Sequence, residues 1–150
     1  MAARIKNDFR ALEKEGEEFE TFFFDFGDDG DTLEGYICGP EGTPYEGGTF
    51  NTIICFSGYP KNCPSVKITT KVFHPAVSLD DGHMCLGSFM DAWNEACNFQ
   101  TVVHQAQAIL SSPCAESGVN HDACALLQSS PEAFNAKAKE WTEKFAMEDE

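Results

Sequence analysis

Cys85 is the residue whose type and setting most clearly allow chemistry. It lies in Asp81-Gly82-His83-Met84-Cys85-Leu86-Gly87-Ser88, a segment bracketed by glycines. Residues 75–87 show little periodicity, which predicts an extended loop. A loop can present a thiol to a partner, and an accessible thiolate is a strong nucleophile. The sequence therefore leaves two interpretations of Cys85, a nucleophile or a small loop residue.

Five of the other six cysteines favour structural roles, and Cys63 is left open. A cysteine outside a disulfide commonly behaves as a small buried hydrophobe. Five fall in or beside predicted strands and helices: Cys38, Cys55, Cys97, Cys114 and Cys124. Cys63 lies in a predicted turn. Because the total of seven is odd and C-x-x-C is absent from the sequence, a disulfide framework and a zinc ribbon are both disfavoured.

The histidines give weaker signals. His74 precedes Pro75 at the end of a strand-like run, where an imidazole more often fixes a loop by hydrogen bonding than acts as a base. His121 and Cys124 are spaced i, i+3, but two ligands do not make a metal site, so we predict no metal. A distant Cys–His pair, as in a cysteine hydrolase, stays open at this stage.

Composition limits the class of protein. The 150 residues include 25 acidic and 10 basic side chains, which gives a net charge of −15, and 42% are hydrophobic. This predicts one folded domain over residues 1–150. The negative charge argues against nucleic acid and against an anionic membrane surface as partners. Since residues 1–10 lack the apolar core of a signal peptide, we expect a reduced location, cytoplasmic and/or nuclear.

The elements that would position Cys85 follow from periodicity. Alternating apolar residues predict four short strands, at residues 19–26, 33–38, 49–57 and 65–69. Apolar residues at helical spacing predict four helices, at residues 3–14, 101–111, 121–128 and 131–146. Asn120 and Ser130 are suitable N-caps for the last two helices. Short consecutive strands indicate an antiparallel meander, and their separation from the helices indicates an α+β fold.

The first predicted helix is basic. It contains four of the ten basic residues: Arg4, Lys6, Arg10 and Lys14. The last three recur at i, i+4 and i+8, which places them on one face. Residue spacing alone leaves open whether this is a solvated face or a docking face.

Five motifs then occur in order along almost the whole chain. They are the basic helix, Gly39-Pro40 with Thr43-Pro44-Tyr45-Glu46-Gly47-Gly48-Thr49-Phe50, Tyr59-Pro60 with Pro64-Ser65-Val66, His74-Pro75 with Gly82-His83-Met84-Cys85-Leu86, and Trp93. In this register the chain resembles the ubiquitin-conjugating enzymes, the E2 family. The resemblance implies the UBC-like fold, with an N-terminal helix, a four-stranded antiparallel meander and C-terminal helices.

The resemblance also implies an activity. Cys85 would accept ubiquitin, or a ubiquitin-like protein, as a thioester from an activating enzyme (E1), and pass it to a substrate lysine or a ligase cysteine. No cofactor is implied, because the E1 uses the ATP. The first helix becomes the expected E1-binding face, through Arg4, Lys6, Arg10 and Lys14. The expected ligase-facing (E3-facing) positions are Lys61, Trp93 and Ala96, with Lys61 in place of a common Phe.

One departure from the family pattern at the active site concerns the oxyanion. The family's Asn after His-Pro supports the oxyanion, and here it is Ala76, which has no side-chain donor. Ser78, Asp80 or a backbone N–H is available to enter the vacated space. Because losing one oxyanion donor typically slows a reaction about 100- to 1000-fold, Ala76 bears on lysine transfer more than on charging of Cys85.

The remaining support residues implied by the resemblance are His74, Ser78, Ser117 and Asn120. Ser117-Gly118-Val119-Asn120 is similar to the family's S-P-A-N stretch, which puts Ser117 near the incoming lysine, although Ser117 could equally cap a turn. An alternative for the whole protein stays open. It is an E2-variant binding module that holds ubiquitin with weak or no lysine transfer.

Overall fold

The computed structural model describes residues 2–114 and 119–147. Its elements, in chain order, are α1 (Ala2–Phe19), β1 (Phe22–Phe26), β2 (Thr32–Cys38), β3 (Thr49–Cys55), β4 (Ser65–Ile68), α2 (Ser88–Ala92), α3 (Phe99–Ser111), α4 (His121–Ser129), α5 (Pro131–Trp141) and a π-helical turn (Thr142–Ala146). Within these residues, no helix is long and apolar enough to cross a membrane. The predicted α+β architecture of one helix, four strands and following helices is confirmed.

The four strands form one sheet in the order β1-β2-β3-β4, and each neighbouring pair is antiparallel. The meander is therefore the one that the short strands and turns predict. Its inward residues alternate along the strands, as Phe22 and Phe24 do in β1 and as Phe50 and Ile54 do in β3. This period of two residues is why the strands could be located from the sequence.

The core lies between the sheet and the helices. α1 contributes Phe9 and Leu12, which are both buried. The buried face of α3 consists of Phe99, Val102, Val103, Ala106 and Leu110. The N-caps predicted for α4 and α5 are confirmed, since the side chains of Asn120 and Ser130 accept hydrogen bonds from the Ala123 and Ala133 backbone N–H groups.

Several predicted bounds were wrong by a few residues. α1 runs on to Phe19 rather than ending at Lys14, and β1 consequently begins at Phe22. The single turn α2 was not predicted, because five residues are too few to show helical periodicity. The expectation that five cysteines are small buried residues is also wrong, since four of the five are half-buried and Cys114 is exposed.

The end of the last helix differs from the expected continuous α-helix. The sequence predicts Phe134, Ala138, Trp141 and Phe145 on one buried face. In the structure the chain continues as a π-helical turn after Trp141. Thr142 and Ala146 are the buried residues of this turn, and Phe145 is 38% exposed. Gly48 permits this packing, because a Cβ there would lie 2.7 Å from the Thr142 side chain and 3.1 Å from that of Ala146.

Candidate active site

Cys85 lies on a short irregular hairpin formed by residues 76–85. Val77 and Met84 pair in an antiparallel bridge, and the Cys85 N–H donates to the Ala76 carbonyl at 2.8 Å. The Ser78 N–H donates to the His83 carbonyl at 3.0 Å. The predicted loop therefore has internal strand-like pairing, which its low periodicity did not reveal.

The hairpin is attached to β4 at two points. The Ile68 N–H donates to the Gly82 carbonyl, and the Met84 N–H donates to the Val66 carbonyl. Gly82 has φ of +79°, and a Cβ there would lie 2.2 Å from the Ile68 carbonyl oxygen. Only glycine fits this close approach without moving backbone. The sheet thus fixes the position of the segment that carries the thiol.

Cys85 is half-buried between two anchored neighbours. Met84 and Leu86 are both fully buried, at 0% and 3% exposure, so the intervening residue is held at the surface by the alternation of an extended chain. Among the described residues, no side chain forms a hydrogen bond to the Cys85 sulfur. The geometry offers an accessible thiol without a paired histidine base, which argues against the cysteine-hydrolase alternative.

His74 fixes the start of the hairpin instead of acting as a base. Its Nδ1 accepts a hydrogen bond from the Ala76 N–H at 3.0 Å, which leaves Nε2 protonated to donate to the Ile109 carbonyl at 2.8 Å. Burial lowers the pKa of His74 to about 4, so the ring is neutral at pH 7. The structural role that the sequence favoured for His74 is the one the structure shows.

Ala76 has no side-chain donor at the position of the family Asn, and the nearby Ser78 hydroxyl is engaged at the tip of the hairpin. Ala76 is 1% exposed and its N–H is taken by His74. The Ser78 hydroxyl accepts from the Asp80 N–H at 3.2 Å, so it holds the tip of the hairpin. Of the substitutes considered from sequence, the N–H groups of residues 76, 77 and 78 are all engaged within the hairpin.

Asn120 joins the start of α4 to the active-site segment. Its N–H donates to the Pro75 carbonyl at 3.0 Å, and its buried Oδ1 caps α4. A cavity of about 310 Å³ lies beside it, lined by residues 78–80 and 119–122. The structure therefore brings His74, Ser78 and Asn120 to one region. Ser117 lies outside the described residues.

The predicted E1-binding face divides into two parts. Lys6, Arg10 and Lys14 are exposed along α1. Arg4 is instead held by intramolecular contacts: its guanidinium pairs with Asp8 at 2.5 Å and donates to the carbonyls of Glu95 and Cys97, each at 2.8 Å. Arg4 is therefore an intramolecular clamp, and its assignment to the E1-binding face stays a prediction. Sequence reasoning missed this role because the partners lie 91 and 93 residues away.

The predicted E3-facing residues lie on two adjoining loops. Trp93 is half-buried, and its Nε1–H donates to the Pro60 carbonyl at 2.8 Å, which joins the loop at residues 56–64 to the loop at residues 93–98. Lys61 and Ala96, one on each loop, are exposed. The structure brings the three positions to one end of the molecule.

The order of one helix, a four-stranded antiparallel meander and further helices is similar to that of solved E2 enzymes. The described fold is similar to the E2 domain of a ubiquitin conjugating enzyme from Toxoplasma gondii, with a TM-score of 0.86 and 31% identity over 97% of this chain and 98% of that one.

The chain belongs to the ubiquitin-conjugating enzyme family, whose profile matches residues 4–142. It is 35% identical to ubiquitin-conjugating enzyme E2 pex4 of Dictyostelium discoideum over 85% of this chain and 87% of that protein. It is 38% identical to ubiquitin-conjugating enzyme E2 27 of Arabidopsis thaliana over 76% of this chain, and the match spans 60% of the length of that relative.

Proposed function

We propose that this protein is an active E2 that carries ubiquitin, or a ubiquitin-like protein, as a thioester on Cys85. The observation that carries the proposal is the half-buried Cys85 held between buried Met84 and Leu86 on a hairpin fixed to the sheet. A thioester carbonyl is already activated, so the enzyme mainly has to position the reacting groups. A general base bonded to the thiol is not required for that task.

Charging of Cys85 and transfer to lysine are both acyl transfers, in which every bond formed replaces a bond broken, so neither step needs a cofactor. In charging, the Cys85 thiolate attacks the E1 thioester carbonyl, a new C–S bond forms, and the E1 thiolate leaves. In transfer, a substrate lysine amine attacks the same carbonyl carbon, an amide forms, Cys85 leaves as thiolate, and the amine loses a proton to solvent. Transfer to a ligase cysteine replaces one thioester by another. The oxyanion that forms in each step needs stabilisation.

The partner surfaces belong to the same proposal. The E1 meets the exposed Lys6, Arg10 and Lys14 of α1, and the E3 meets the end of the molecule that carries Lys61, Trp93 and Ala96. Nucleic acid and membranes are not proposed as partners, because the chain is acidic. We further propose that residues 1–150 form a single UBC core domain. We also propose that the protein acts in the cytoplasm, the nucleus or both.

A charging assay tests the proposal. The protein is incubated with E1, ATP and a panel of ubiquitin and ubiquitin-like modifiers, and the products are separated on a non-reducing gel. We expect an adduct with one modifier that is cleaved by thiols, and we expect Cys85→Ala to lose it completely. Cys63→Ala is the matched control and should charge as the unmodified protein does. Absence of an adduct with every modifier would exclude the proposal.

A second candidate, the E2-variant binding module, is favoured by one observation. At the position of the family Asn the structure has buried Ala76, and neighbouring N–H groups are engaged. A module of this kind would bind ubiquitin but discharge slowly or not at all to lysine. Discharge of the charged protein to free lysine distinguishes the two: rapid release supports the full enzyme, and a persistent thioester supports the alternative.

A further inference from the structure

A cavity of about 300 Å³ lies between α1 and the strands β1 and β2. Part of its wall is apolar, because buried Leu12 of α1 and buried Phe22 and Phe24 of β1 line it. Gly16 permits α1 to approach β1 closely here, since a Cβ there would lie 2.9 Å from the Phe22 carbonyl oxygen. The cavity is therefore set by the way in which the first helix packs on the sheet.

Two exposed aromatic rings extend this apolar wall to the surface. Phe23 and Tyr36 also line the cavity, and they are 50% and 37% exposed. They are partners in the β1–β2 register, and their ring centres are 5.9 Å apart. Aromatic rings are enriched at protein interfaces, and their faces attract cations. The pair is thus apolar surface that the fold itself leaves partly uncovered.

The charged part of the lining consists of Glu13, Glu17 and Glu20. All three are exposed, and among the described residues none of them forms an ion pair. The described part of the chain also places no basic residue in the lining. Arg10 is absent from it, and Lys14 instead lines a separate cavity beside α3. We call this space the glutamate–aromatic cavity.

The surrounding segment has the same sign of charge. Residues 13–36 contain ten acidic residues and one basic residue, which is a net charge of −9 out of −15 for the chain. Such a concentration of carboxylates repels anionic partners and attracts cationic ones. Charge and aromatic rings therefore both favour a basic occupant.

We propose that the glutamate–aromatic cavity binds a basic segment of a partner protein, with an arginine side chain between the glutamates and the rings of Phe23 and Tyr36. A guanidinium can pair with a carboxylate through two parallel hydrogen bonds and can also stack on a ring, whereas a lysine ammonium is a point charge. A volume of about 300 Å³ is at the lower end for ligand sites, so it suits side chains of an extended segment. The inference goes beyond the proposed E2 activity, because this binding does not require Cys85.

Fluorescence anisotropy with a labelled peptide tests the binding. The probe is a short synthetic peptide of serines, in which one central leucine is flanked by two arginines on each side. We expect saturable binding that Glu13→Lys/Glu17→Lys weakens at least about tenfold, because attractive contacts become repulsive. Glu132→Lys/Glu140→Lys is the matched control. It makes the same change in net charge at exposed positions of α5, and it should weaken binding at most about twofold.

Further changes separate the rings and the arginines from net charge. Phe23→Ser removes a half-exposed ring and should bind several-fold more weakly, and so should a peptide with lysines in place of the arginines. Glu13→Gln/Glu17→Gln removes the two charges without adding repulsion, and it replaces the lysine variant if circular dichroism shows that the latter does not fold. Equal affinities of the α1 variant and the α5 control would overturn the proposal. An unchanged affinity of Phe23→Ser, or equal binding of the two peptides, would do so as well.

Failure of this proposal is distinguishable from failure of the proposed function. Cys85→Ala cannot be charged but should bind the peptide as the unmodified protein does. If the unmodified protein is charged but does not bind the peptide, the cavity proposal is wrong and the E2 proposal stands. If it binds the peptide but is never charged, the E2 proposal is wrong and the cavity remains a binding site for basic segments.

Discussion

At the scale of single residues, we predict that Ala76 limits the rate at which the protein transfers its modifier to lysine. The side chain is buried directly beside the hairpin and has no donor. We predict that Ala76→Asn increases the rate of thioester discharge to free lysine by at least about tenfold, because one oxyanion donor is typically worth about 100- to 1000-fold. The measurement is single-turnover discharge followed on non-reducing gels.

Ala76→Leu is the matched control for this change. Leucine has the same branching and the same number of side-chain heavy atoms as asparagine but no donor, so it should not accelerate discharge. The charging rate of both variants should stay within about twofold of the unmodified protein, because charging depends on Cys85 and the E1. Equal acceleration by leucine would show that packing, and not an oxyanion donor, limits the reaction.

At the scale of elements, His74 joins the active-site hairpin to α3 through the Ile109 carbonyl. Burial lowers the pKa of His74 from 6.5 to about 4. Between about pH 6.5 and pH 4, His74 is therefore protonated in the unfolded chain but neutral in the folded protein. We predict that this part of the stability is complete above about pH 6.5 and is lost as the pH falls towards about 4, up to ~3 kcal/mol.

Urea unfolding at pH 7.5, 6 and 5 measures this effect. His74→Gln should be less stable at pH 7.5 but should lose less stability than the unmodified protein between pH 7.5 and 5. His121→Gln, which removes an exposed histidine, should keep the original pH dependence. If His74→Gln keeps the full dependence, the titrating group is elsewhere.

The secondary-structure elements also show which features of the fold could be predicted from the sequence. The meander and the α4 and α5 caps were predictable, because period-two alternation and Asn or Ser before a helix are local signals. The π-helical turn was not, because it depends on the approach of Gly48 to Thr142 and Ala146. At the site, the loop setting of Cys85 and the hydrogen-bonding role of His74 could be inferred locally, whereas a role of Cys85 as nucleophile was implied only by the family resemblance. The hairpin pairing and the Arg4 clamp depend on contacts that only the folded chain defines.

At the scale of the whole molecule, charge separation should direct the encounter with the E1. Lys6 and Arg10 are exposed on α1 of a chain with a net charge of −15. We predict that Lys6→Glu/Arg10→Glu slows charging about tenfold at low salt, because long-range attraction accelerates association, and less at high salt, because salt screens that attraction. Initial charging rates at several E1 concentrations provide the measurement.

Two single variants separate a local effect from net charge. Arg10→Glu and Lys139→Glu change the total charge equally, and both positions are exposed, but only Arg10 lies on α1. Arg10→Glu should slow charging and Lys139→Glu should not. Similar rates for the two variants would mean that α1 has no special part in E1 binding.

The Arg4 clamp has a consequence for the entropy of the folding chain. Its bonds to Glu95 and Cys97 close loops of 91 and 93 residues. Closing such a loop costs about 2 kcal/mol more than closing a ten-residue hairpin loop. The guanidinium contributes towards that cost through its bonds to the Glu95 and Cys97 carbonyls, together with its position over the Tyr59 ring, 5.6 Å from the ring centre. A single side chain of α1 is thus bonded directly to Glu95 and Cys97, which lie 91 and 93 residues away along the backbone.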